Sequence, residues 1–359
     1  MKLIPINMKG FINIFMSKSK NDFKFILLLT VLFIFLLFSM LTGVSLGAVR
    51  ISLKDTFNII SNSLSGSEII STFSKSTVAI VLNMRVPRVI MGLFVGAGLA
   101  LCGTIMQTTV NNPISEPYIL GISAGATFGA TLFIILGLKS LTGTGAFFGS
   151  VISTGIVLFI ASLGKKITTT SLILSGAVVN ALFSAFSNFI ISIGANSDSM
   201  MTIKFWTMGS LASASWKDID LPLFIIPASF IFFITQYRVL NTMLMGDEVA
   251  VTLGINLHRY RFIYMIFISM ITGILVSKCG IIGFVGLITP HISRILVGTD
   301  HKKIIPLSAI LGSLFILWSD ILARCLIDKA ELPIGIFTSL VGGPFFIYIV
   351  IQNQRKGQR

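Results

Sequence analysis

The segment GDEVAVTLGINLHR, residues 246–259, places two carboxylates, a histidine and an arginine in a chain that is otherwise almost continuous hydrocarbon. The 359 residues are 54% hydrophobic and 11% charged, with a mean hydropathy of +0.94. A soluble domain of this length needs far more polar surface. A hydrocarbon core of about 30 Å takes roughly 20 apolar residues per helix, and the apolar runs have that length rather than the ~10 residues of a barrel strand. The fold class is therefore an all-α polytopic membrane protein, and residues 246–259 form a short charged connection between two of its spans.

Working outward from that connection, the apolar runs give ten spans: 25–47, 87–109, 117–137, 142–163, 171–193, 219–237, 261–279, 281–297, 304–324 and 334–352. They form one transmembrane domain over 25–352, between a basic segment 1–24 and a short tail 353–359, with 240–260 as its charged connection. The first run is longer than the apolar region of a signal peptide, so it reads as an uncleaved span. Placing both termini in the cytoplasm leaves a modest excess of lysine and arginine there, as the positive-inside rule requires. Arg85, Arg88 and Arg324 are exceptions that cluster on the outer side. Two polar excursions, 48–84 and 194–217, also fall outside and should be partly helical. The similarity between spans two to five and seven to ten is too weak to establish an internal repeat.

Several function classes are excluded or weakened by composition. The net charge of +14 is scattered between spans rather than gathered on one face, so no nucleic-acid partner is indicated and lipid contact and topology account for it. Cys102, Cys279 and Cys325 lie far apart in apolar surroundings, which indicates neither a disulfide framework nor a metal site. No GxxxxGK[ST] loop occurs, so the chain does not itself cradle ATP in the usual way. An intramembrane enzyme would need a nucleophile and base that converge; His291 has no obvious carboxylate partner, and Arg294 near it can snorkel.

Within the connection, Asp247 can cap a helix, Glu248 favours its positive start and Gly254 can end it. Val249, Ala250 and Leu253 then form one small apolar face, which either lies on the membrane or plugs into a partner. The short length and acidic start argue against lying on the membrane. In the fifth span, Asn180, Ser184, Ser187 and Asn188 recur at helical spacing, a polar face that lines a wetted pathway or joins helices.

GDEVAVTLGIN resembles the coupling-helix segment of the iron-siderophore, haem and cobalamin family of ABC importer permeases, the type II importers. Further matches follow in the family's order: RVPRVIMGLFVGAGLALCGTIMQTTVNNPISEPYILGISAGA (85–126), TTTSLILSGAVVN (168–180), GIIGFVGLITPHISRILVGTDHKKIIP (280–306) and ELPIGIFTSLVGGPFF (331–346). The resemblance implies a multi-pass permease in the cell membrane of a bacterium or archaeon, paired with a second copy of itself or a homologous permease in the lipid bilayer. It implies two separate cytoplasmic ATPase subunits, which bind ATP and Mg, and an extracytoplasmic binding protein that delivers a metal chelate. The chain itself would be a transport subunit without cofactor, carrying a ferric siderophore, with haem and cobalamin as close rivals.

By position the resemblance assigns ATPase coupling to Gly246, Asp247, Glu248, Val249, Ala250, Leu253 and Gly254. It assigns binding-protein docking to Arg85, Arg88 and Arg324, for which headgroup anchoring is the plainer alternative. Thr169 and Thr170 take the place of a cytoplasmic gate, with helix capping by Thr168 or Thr169 as the alternative. The family carries small or apolar residues where Lys278 stands, which points to headgroup or binding-protein contact there. The rival of another class is an ion-coupled secondary transporter. It calls for intramembrane carboxylates, of which Asp320, toward the outer end of its span, is the main candidate.

Overall fold

A computed structural model describes residues 8–65, 73–164, 167–327 and 330–357. The ends of the expected N-terminal segment and tail, residues 1–7 and 358–359, lie outside the described residues. The order begins with α1 (Met8–Ser45), α2 (Leu53–Ser65) and α3 (Lys75–Ala79), the last running through a π-helical turn at Ile80–Arg85 into α4 (Val86–Thr109). There follow α5 (Ile122–Ile135), α6 (Thr142–Ser162), α7 (Thr169–Gly194), α8 (Ser197–Thr207), α9 (Trp216–Thr235) and α10 (Tyr237–Met243). The chain continues with α11 (Asp247–Thr252), α12 (Leu257–Cys279), α13 (Val285–Val297), α14 (His301–Cys325) and α15 (Ile334–Gly357).

Among the described residues, eight helical stretches are long and apolar enough to cross a membrane, and α5 and α13 are shorter apolar helices. Together they account for all ten expected spans. The second span differs from its expected start at 87, because helix runs unbroken from Lys75 to Thr109. Ser74 begins it, its hydroxyl accepting the Thr77 N–H at 3.2 Å. The polar residues that masked this extension, Lys75, Ser76 and Asn83, lie in the part of the helix beyond the apolar run.

α4 is the axis of the molecule: nearly every residue from Pro87 to Thr109 is buried, and α9, α12, α13 and α14 pack around it. Lipid gives apolar side chains little reason to leave it, so helices associate through close packing of small residues. A Cβ on Gly103 would stand 1.9 Å from the Gly286 carbonyl oxygen, and one on Gly129 would stand 1.9 Å from that of Gly145. These pairs let α4 touch α13, and α5 touch α6, backbone to backbone.

The helices α4 to α7 and α12 to α15 repeat one order: a full span, a short helix entered through a break in the α-helical run, which in the first case includes a 3-10 turn at Pro117–Leu120, and two full spans. At about 1.5 Å per residue, α5 and α13 reach only about 20 Å, so part of each crossing is made by the breaks at 110–121 and 280–284. Non-helical backbone at membrane depth must be satisfied by protein or line a cavity. Here the breaks satisfy each other. The Tyr118 hydroxyl donates to the Ile282 carbonyl at 2.9 Å and accepts the Ile282 N–H at 3.2 Å. Glu116 Oε1 accepts the N–H of Phe284, a residue held at φ +69°.

Candidate functional site: a polar cavity and its two ends

The polar stripe of α7 faces a cavity of about 470 Å³. Asn180, Ser184, Ser187 and Asn188 all line it, opposite Glu116, Tyr118, Ser123 and Thr127. Asn180 also reaches the Tyr118 carbonyl at 3.4 Å, and the Ser187 hydroxyl bonds back to the Phe183 carbonyl. A second cavity, about 610 Å³, lies beside the first and shares Tyr118 and Ile281 with it, extending to Gly335, Ser339 and Pro344 of α15. One concave face thus runs from α7 past the two helix breaks to α15. Leu174, Val178, Phe189 and Ile193 of α7 and Leu340 of α15 are exposed beside it, unburied apolar surface suited to lipid or a second subunit.

Sequence reasoning missed Glu116 and Tyr118 as part of this wall. Both stand in NNPISEPYIL, where the prolines signal a break, but only the fold brings that break against α7 and α13.

At the outer end the three arginines bond to groups of their own chain. All are buried, at 7% exposure for Arg85, 8% for Arg88 and 5% for Arg324. Arg85 donates to the carbonyls of Val44, Ser45 and Val49, and Arg324 to those of Gly43 and Leu46 at 2.9 Å. Gly43, Val44 and Ser45 present orphan acceptors at the C-terminus of α1, which has no basic residue in its own last turn, and Leu46 and Val49 belong to the segment just after it. Arg88 and Arg324 share the buried carboxylate of Asp320, each at 3.0 Å, and Arg88 also holds Glu331 at 2.8 Å. The guanidiniums are satisfied within the chain, where they cap a helix and close a charge knot. Asp320 is the candidate coupling carboxylate of the secondary-transporter reading, and it is likewise engaged by two cations.

Lys278 is also internally paired, its ammonium 2.8 Å from Asp218 in the first turn of α9. Arg294 does not snorkel outward; it turns back to Gln107 Oε1 of α4, whose amide nitrogen in turn donates to the Gly286 carbonyl at 3.0 Å. His291 meets the edge of Phe345, with ring centroids 6.0 Å apart.

At the cytoplasmic end, Thr168 caps α7 reciprocally with Ser171. The Thr169 hydroxyl donates to the Val110 carbonyl at 2.9 Å, tying the start of α7 to the end of α4, whereas Thr170 is exposed. Lys165 and Lys166, just before them, lie outside the described residues.

The coupling segment forms the helix expected, six residues long, ended by Gly254 at φ +82°. Two details differ. Asp247 does not cap: Gly246 holds the N-cap position without a side-chain bond, and the Asp247 carboxylate pairs with Arg261 at 2.8 Å. Ala250 is fully buried against its own chain rather than sharing a face with Val249 and Leu253. The outward surface consists of Met245, Val249, Val251 and Leu253, with Leu253 63% exposed. The buried guanidinium of Arg261 also donates to the Thr109 carbonyl at 3.0 Å and the Ile167 carbonyl at 3.2 Å.

Comparison with known proteins agrees with this architecture. An uncharacterized ABC transporter permease protein of Bacillus subtilis is 37% identical over 91% of this chain and 94% of its own length. The hemin transport system permease protein of Yersinia pestis is 33% identical over 92% and 98%, respectively. The Fe(3+)-citrate import system permease protein of Bacillus subtilis is 32% identical over 95% and 98%. A solved structure described as an inward-facing metal-chelate type ABC transporter superposes with a TM-score of 0.76 at 29% identity, covering 90% of this chain and 99% of that one. The FecCD transport family matches residues 32–352, and the chain belongs to that family of ABC importer permeases, as a transport subunit rather than an enzyme.

Proposed function

We propose that this permease pairs with a second copy of itself, or with a homologous permease, in the cell membrane of a bacterium or archaeon and passes a ferric siderophore along the polar face of α7. The observation that carries this reading is the convergence of Asn180, Ser184, Ser187 and Asn188 with both helix breaks on one cavity. A wall of amides, hydroxyls and one carboxylate suits a polar chelate better than an apolar haem. Relatives whose names specify hemin, vitamin B12 and Fe(3+)-citrate place the cargo among metal chelates and related compounds.

In this reading an extracytoplasmic binding protein delivers the chelate, and two separate ATPase subunits, binding ATP and Mg, engage the exposed face of α11. Radiolabelled uptake in proteoliposomes holding the permease, its ATPase and its binding protein tests the cargo. Accumulation of a ferric siderophore, with haem and cobalamin at background, is the expected result. Preferential uptake of haem or cobalamin would overturn it.

In this reading Thr170, exposed at the start of α7, meets its counterpart across the twofold axis of such a pair. Thr170→Cys should cross-link between subunits in some nucleotide states and not others, while Thr169→Cys, directed at Val110, should cross-link less. Cross-linking at Thr170 that ignores nucleotide would leave it a helix-end residue with no gating role.

A further inference from the structure

Among the described residues, the carboxylate of Glu116 is the only formal charge on the wall of the α7 cavity, whose lining holds no lysine, arginine or histidine. Its Oε1 accepts the Phe284 N–H at 2.6 Å at the start of α13. Among the described residues, no other hydrogen bond and no ion pair to it is formed. The bond to Phe284 uses one oxygen, and with the positive end of α13 it offsets part of the cost of burying a charge there. The second oxygen remains for whatever fills the cavity. Ser184 and Asn188 face the same space, and their side chains form no hydrogen bond among the described residues. A purely structural cap for α13 would not need to stand on the cavity wall.

We infer that Glu116 selects the charge class of the cargo: it admits neutral or cationic chelates that carry N–H or O–H donors and disfavours polyanionic ones. In a twofold pair, two such carboxylates face one shared pathway, with no basic group on either wall to offset them. Their field is strongest where low-dielectric walls confine it. The inference rests on the pathway reading above, because a sealed cavity would select nothing.

Reaction of a cysteine in the cavity with charged thiol reagents measures this field without any binding protein. The reporter is Ser184→Cys in the full-length permease assembled with its ATPase, with Cys325→Ser removing the exposed native thiol while the buried Cys102 and Cys279 stay. The probes are trimethylammonioethyl and sulfonatoethyl methanethiosulfonate. The ratio of cationic to anionic reaction rates should exceed that of free cysteine by about tenfold. It should fall to within about twofold of free cysteine when Glu116→Gln, which keeps an oxygen for the Phe284 N–H, is added.

Raising salt in the unsubstituted Glu116 background should also shrink the ratio, so the measurement does not depend on the folding of Glu116→Gln. A ratio equal to that of free cysteine, or one unchanged by both Glu116→Gln and salt, would overturn the inference while leaving the pathway intact. Failure of Ser184→Cys to react with either reagent would instead refute the aqueous pathway, and the inference with it.

Discussion

Replacing Asp320 with asparagine should destabilise the folded chain by about 3–5 kcal/mol, the usual result of removing one partner from a buried ion cluster. Asp320 is 2% exposed and answers both Arg88 and Arg324. Without it, Arg88 keeps only Glu331 and Arg324 keeps only main-chain carbonyls, so one buried cation is left with no carboxylate partner. Thermal unfolding in detergent reads the loss. Asp198→Asn, which removes the exposed pair with Lys139, is the control and should cost no more than about 1 kcal/mol. Equal melting of Asp320→Asn and the parent would show that the knot adds nothing to stability.

Leu253→Asp should abolish uptake while leaving the permease folded and its partner ATPase active. Leu253, Val249 and Met245 are exposed on a helix that otherwise buries only Ala250. A large apolar residue seated in a partner cleft typically contributes about 2 kcal/mol or more to the contact, roughly thirtyfold in affinity. An exposed position in the isolated chain should cost only about 0.5 kcal/mol of its own stability. Uptake, ATP hydrolysis and melting temperature measured together separate the two effects. Normal uptake at normal expression would remove Leu253 from the coupling surface. Ala250→Glu is a poorer probe, because a buried charge there would disturb the permease itself.

Sequence carried the reading of this molecule furthest where a period or a length is long enough to define a direction. Ten apolar runs located ten crossings, and the recurrence of Asn180, Ser184, Ser187 and Asn188 over more than two turns fixed the face of α7 that meets the cavity. A six-residue helix holds too few turns for its pattern to fix a buried side, so Ala250 pointed the wrong way. The intrachain partners of the arginines were hidden for another reason. Their unusual location was visible, but Arg85 and Arg324 bond to carbonyls of α1, some forty residues before Arg85 and far earlier than Arg324, and main-chain acceptors leave no mark on sequence. One signal was available: Asp320 and Arg324 stand four apart on a helix, the spacing of a local ion pair. Glu116 carries no such mark, since its importance arises from two breaks that meet only in three dimensions.

The bonds of Arg261 bear on how force enters the membrane. One buried guanidinium joins Asp247 on α11 to Thr109 at the foot of α4 and to Ile167 just ahead of α7. Hydrogen bonds to a charged group contribute roughly 1.5–3 kcal/mol each, so sliding α11 separately from the other two would break several such bonds at once. Rigid displacement of all three is the softer mode. A tug on the small helix is therefore delivered undivided to the central axis and to the cavity wall; in the proposed assembly, the stroke of a motor attached there would reach the cargo route without being dissipated in a slack joint.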